Sequence, residues 1–109
     1  MLRLLDKDAE HKVRVSDKNK TVDFGATIKA PPAGDIAIME RHRDAYFKDG
    51  NDDDLEKLID KIKTFTVSFD DYPDMSVAEV VEKMPLTPVL LLSASITNLG
   101  HLGPEEEKN

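Results

Sequence analysis

An α+β fold is predicted: an N-terminal β-hairpin followed by a small bundle of about four α-helices. Three observations predict it. Residues 11–29 alternate polar and apolar side chains in the period of two that suits a half-buried strand. Composition and period both change at Pro31-Pro32-Ala33-Gly34. Beyond that junction, apolar residues recur at helical spacing in segments punctuated by Gly and Pro.

Each element follows from its residues. His11-Lys12-Val13-Arg14-Val15 alternates, and Ser16-Asp17-Lys18-Asn19 supplies turn chemistry, because Asp, Asn and Ser hydrogen-bond their own backbone. Thr21-Val22-Asp23-Phe24 and Ala26-Thr27-Ile28-Lys29 resume the alternation, with Val22, Phe24, Ala26 and Ile28 on one face. Gly25 marks a bulge on this reading, and Leu2–Leu5 offers an extra strand. Asp35 then caps a helix from about Ile36 to Lys48, which Gly50 stops. Asp52-Asp53-Asp54 opens a second helix, with Asp53 and Glu56 at capping-box spacing and a stripe of Leu55, Leu58, Ile59, Ile62, Phe65 and Phe69. Its end stays open between helix and strand, because residues 64–69 are β-branched and also alternate. Ser76 and Glu79 form a capping box for a short helix through Met84. Pro85 ends it, Thr87 caps the last helix, Pro88 sits at its first position, and Gly100 is its stop. One domain over residues 1–103 results, with a hairpin region at 1–30, a helical region at 35–100 and a disordered acidic tail at 104–109.

Composition narrows the function classes. The 109 residues contain no Cys, which excludes disulfides, thiolate metal sites and a thiol nucleophile. Trp is absent and aromatics are 6%, a poor basis for stacking nucleic-acid bases. The net charge is −7, and its distribution is uneven: seven Lys/Arg against five Asp/Glu in residues 1–34, eight against seventeen in residues 35–109. Nucleic acid is therefore not an expected partner. The longest apolar run, Val89-Leu90-Leu91-Leu92, is too short to span a bilayer, and Asp6, Lys7 and Asp8 follow Leu5 too closely for a secretory leader. A soluble, cytoplasmic protein without a membrane partner is expected.

No catalytic or metal-binding constellation emerges. Counted from Asp49 as a calcium loop, Asn51 and Asp53 fall on ligand positions, but Asp54 stands where glycine is needed and Asp60 where a bidentate glutamate is. Asp70, Asp71 and Asp74 read as solvated loop acids. His42 falls among Arg41, Arg43 and Asp44 on a solvated helix face, and His101 serves the carbonyls that end the last helix. Ser93 and Ser95 lack a nucleophile elbow, and the glycines form no phosphate loop. The chain reads as a non-enzyme with no catalytic residue, cofactor or metal. Its working surface is expected on the last helix, apolar nearly all round, through Val89, Leu91, Leu92, Ile96 and Leu99.

The order of features resembles one family. A hairpin with Val13-Arg14-Val15 and Thr21-Val22-Asp23-Phe24 leads into Lys29-Ala30-Pro31-Pro32-Ala33-Gly34-Asp35. A helix with Ile36, Met39 and Glu40 follows, then a helix ending near Phe69, then Ser76–Met84 and the apolar helix. Over residues 11–100 this layout is similar to the small tail assembly chaperones of tailed bacteriophages. The resemblance implies a protein that coats the long helical tape measure protein, keeps it soluble and helps recruit tail tube subunits, in the cytoplasm of a bacterial host. It carries over no catalytic residues. The alternatives are an acidic inhibitor that mimics nucleic acid and blocks a DNA-binding enzyme, a small structural virion component, or a subunit of a small homo-oligomer.

Overall fold

The computed structural model describes Asp6 and residues 8–106. The expected Leu2–Leu5 strand lies outside the described residues. The chain forms β1 (His11–Ser16), β2 (Asp23–Ile28), α1 (Ala33–Asp49), α2 (Asp52–Phe65), β3 (Thr66–Phe69), α3 (Val77–Lys83) and α4 (Leu86–Glu106). This is the α+β fold that the alternation and the later helical period predict.

The hairpin is antiparallel, with His11 opposite Ile28 and Ser16 opposite Asp23. Asp17 organises its loop: its carboxylate accepts from the Thr21 hydroxyl and from the Val22 N–H, while its own N–H donates to Val22 O at 3.1 Å. Lys20 takes the left-handed conformation that closes the loop (φ 59°). Pairing with β1 runs unbroken across Gly25, so this glycine is not a bulge; the irregularity lies between Thr27 and Ile28, where β2 pairs with β3. Gly25 gives room to a neighbouring side chain instead. A Cβ there would collide with the Asp70 side chain, and Asp70 N–H donates to Gly25 O at 3.0 Å.

The open segment 64–69 resolves into both alternatives. Thr64 and Phe65 finish α2, and Thr66–Phe69 pairs antiparallel with β2, making a three-stranded sheet in the order β1-β2-β3. The Thr66 hydroxyl donates to Ile62 O at 2.7 Å as the backbone turns extended.

Helix ends depart from the expected caps. Pro32 precedes α1 with no side-chain cap, and Asp35 falls within the first turn, where its carboxylate takes Lys61 Nζ at 2.7 Å. Asn51, not Asp53, caps α2, its side chain accepting from Asp53 N–H at 2.8 Å. Gly50 closes α1 as expected, in the left-handed conformation with its N–H on Tyr46 O. Ser76 caps α3 through Glu79 N–H at 3.2 Å. α4 starts at Leu86, so Thr87 lies inside its first turn. Its first backbone bond is Val89 N–H to Pro85 O, which leaves Pro88 among the positions whose missing N–H costs nothing.

α4 also runs through Gly100 to Glu106, past the boundary expected at residue 103. Gly100 is a close-approach glycine: a Cβ there would stand 2.9 Å from Pro31 O and 2.5 Å from Ile36 Cδ1. The core lies between the sheet and the helices, and includes Val15, Ala26, Ile28, Met39, Leu58 and Ile62. α1 packs on α2 and α4, α4 reaches β1, and α2 and α3 flank β3. Among the described residues, no helix is long and apolar enough to cross a membrane.

Candidate binding clefts

The structure places the five residues expected to form the working surface mostly in the core. Leu92 and Ile96 have no exposure, Val89 and Leu99 are buried, and Leu91 is half-buried. α4 packs against α1, α2 and β1, so much of its apolar character reports burial. Its hydroxyls are satisfied within the helix: Ser93 Oγ donates to Leu90 O at 2.7 Å, and Thr97 Oγ1 to Ser93 O at 3.2 Å. Of the five expected residues, only Leu91 presents appreciable surface while the fold is closed.

The other singled-out side chains also have structural partners. His42 is buried, not solvated, and its Nδ1 lies 2.8 Å from Asp54 Oδ1, joining α1 to α2. His101 lies within α4, with Nε2 2.9 Å from Glu40 Oε1 of α1. Arg43 donates to Thr97 Oγ1 at 3.4 Å. Among the described residues, no three His, Cys, Asp or Glu side chains converge as metal ligands would.

Phe47 on α1 is 64% exposed, and concave apolar surface lies on two clefts beside α3, neither of which it lines. The first, about 450 Å³, is lined by Phe24, Phe69, Tyr72, Met75, Met84 and Pro88 among others. The sequence builds it locally. Strand pairing brings β2 and β3 together, with the Phe24 and Phe69 ring centroids 6.1 Å apart and tilted by 46°. The following loop folds back through Tyr72 N–H to Phe69 O and Met75 N–H to Tyr72 O, both 3.2 Å. The Ser76 cap then fixes where α3 begins. Tyr72 stays 53% exposed, and Asp71 and Lys83 supply charges among the lining residues. Two methionines in the lining suit partners of varied shape, since the thioether side chain is flexible and polarizable.

The second cleft, about 490 Å³, lies between α2 and the α3–α4 corner. Leu55 and Ile59 line it from α2, Val81 and Met84 from α3 and its end, and Leu86 and Val89 from α4. Met84 borders both clefts, so the corner is a shared ridge. Lys63 of α2 reaches Glu82 of α3 at 3.1 Å.

Sequence reasoning passed over this surface because its residues sit at breaks in the periodic pattern. Tyr72 lies between Asp71 and Pro73, and Leu86 between Pro85 and Thr87. A large apolar residue that no helical or strand stripe claims was the available signal. Compared with known proteins, the chain matches no protein-family profile, no curated protein and no solved structure.

Proposed function

We propose that the chain is a non-enzymatic tail assembly chaperone, which holds an apolar segment of a tape measure protein and helps recruit tail tube subunits. The observation that carries the binding role is the apolar cleft lined by Phe24 and Phe69, the loop after β3, α3 and the α3–α4 corner. Such a cleft removes a partner's apolar residues from water at about 25 cal/mol per Å² buried, and it needs no cofactor. The tail-assembly part rests on the layout resemblance of the sequence over residues 11–100. An inhibitor that mimics nucleic acid is the weaker reading, because the acids cluster at helix starts and loops where local structure already uses them, and a few are engaged by their own chain. Asp23 holds Arg14, Asp35 holds Lys61, Asp54 meets His42 and Glu82 holds Lys63.

Co-expression with the tape measure protein encoded in the same genome tests the proposal. The intact chain should keep that protein in the soluble fraction. The variant Tyr72→Asp/Met75→Asp should lose this while keeping the far-UV circular dichroism spectrum of the parent. Undiminished solubilisation by a folded double variant would remove the cleft from the reading. A genome that encodes no tape measure protein would remove the tail-assembly role.

A further inference from the structure

The second cleft differs from the first in its charge. Its apolar lining is bordered by carboxylates from both walls, Glu56 and Asp60 on α2 and Glu82 on α3. All three residues are exposed, and the one cation in the lining, Lys63, is already engaged by Glu82 at 3.1 Å. Three carboxylates against one ammonium leave this border negative. Leu86, 43% exposed, stands on the wall opposite Ile59.

We infer that this groove docks a basic amphipathic helix, with apolar residues seated between Ile59 and Leu86 and Lys or Arg on its flanks facing Glu56, Asp60 and Glu82. The walls are side chains of helices and the corner joining them, with no strand edge between them. An extended peptide would bury its backbone N–H and C=O groups without partners, whereas a helix satisfies its own. Leu55, Ile59 and Lys63 recur every four residues along α2, and eight residues at about 1.5 Å each span about 12 Å, or roughly two turns of bound helix. Apolar seating with opposite charge on both flanks fixes the register and orientation of such a helix. The inference goes beyond the assembly reading and does not depend on it, since that reading rests on the cleft across the Met84 ridge.

The test uses the intact chain and synthetic peptides of about 16 residues, a length that gives a helix of more than four turns. The probe peptide carries Leu at i, i+3, i+4 and i+7 with Lys on both flanks. One control scrambles that composition, and a second replaces every Lys by Glu. In calorimetric titrations at about 0.1 M NaCl, the basic amphipathic peptide should bind at least about tenfold more tightly than either control. Leu86→Glu should weaken it by about tenfold or more, and Tyr72→Asp, in the other cleft, should leave it unchanged. Glu56→Lys/Asp60→Lys should move the preference to the Glu peptide. Leu86 is exposed enough for its variant to fold, which circular dichroism checks. Equal binding of the scrambled peptide, loss on Tyr72→Asp instead of Leu86→Glu, or an unchanged preference after the charge swap would each overturn the inference. So would absence of binding, or a dimer of the parent chain that Leu86→Glu dissolves, which would make the occupant a second copy.

Discussion

Two glycines show how single residues set the positions of whole elements. Gly25 leaves room for the Asp70 side chain, which lets the β3 end and the following loop close over β2. Gly100 lets α4 lie directly on Pro31 O and Ile36, where the chain enters α1. Neither role was legible in the sequence, because a glycine's need is set by what approaches it from elsewhere in the chain. Gly50 was legible, since a helix end with a left-handed φ is a local requirement. Gly100 therefore yields a prediction with an informative sign. In an open helix, Gly→Ala gains about 1 kcal/mol. Here the new methyl meets a backbone carbonyl, and overpacking costs about 1–3 kcal/mol. Gly100→Ala should lower stability by about 1 kcal/mol net, measured by urea denaturation. Ile36→Val removes the Cδ1 atom in the way, so the double variant should lose less than the sum of the single losses. Strict additivity would show that the two residues do not press on each other.

At the scale of elements, the hairpin and α4 are held by different physics. The hairpin loop relies on exposed polar bonds. The Thr21 hydroxyl holds the Asp17 carboxyl below its usual range, and the Arg14 guanidinium does the same for Asp23. A carboxyl whose folded value is lowered stabilises the fold above its unfolded value and loses that contribution as pH falls towards the folded value. Stability should therefore be flat near neutral pH and decline below about pH 4. In Asp17→Asn/Asp23→Asn, stability near neutral pH should be lower and the acid decline shallower. An unchanged acid limb in urea midpoints would contradict this. α4 is held by packing. Leu92→Ala should cost about 2–5 kcal/mol, as expected for a fully buried leucine, whereas half-buried Leu91→Ala should cost clearly less. Equal costs, read from the same denaturation curves, would mean that α4 is not seated as described.

The elements themselves were largely readable from periodicity, because alternation and helical spacing are local consequences of burying one face. The third strand was not settled, since residues 64–69 satisfy both periods and only pairing with β2 decides between them. Cap assignments slipped by a residue or more where several side-chain acceptors lie close together, as from Asn51 to Asp53. The largest difference concerns α4, where four of the five residues expected at the surface are buried. An apolar helix reads alike whether it faces a partner or the core, and only the surrounding elements distinguish the two.

At the scale of the whole molecule, net charge and binding chemistry need not coincide. The chain carries −7, yet the Phe24–Phe69 cleft offers mostly apolar contact, with one Asp and one Lys in its lining. The groove beside α2 adds carboxylates on both walls. Salt should therefore separate the two sites. Raising NaCl from about 0.1 M to about 1 M shortens the reach of charge from about 10 Å to about 3 Å. Burial of apolar surface is only weakly affected, and sulfate strengthens it. An apolar segment bound at the Phe24–Phe69 cleft should stay bound through this titration. The basic peptide in the α2 groove should weaken by about tenfold while keeping some affinity from its seated leucines. Carboxylate-to-amide changes at Glu56, Asp60 and Glu82 should flatten that salt dependence without altering the first cleft. A partner of the first cleft released over orders of magnitude by salt, with duplex DNA competing for the same partner, would reverse the order of the two functional readings. In that outcome the acidic surface as a whole, rather than an apolar cleft within it, is what the partner recognises.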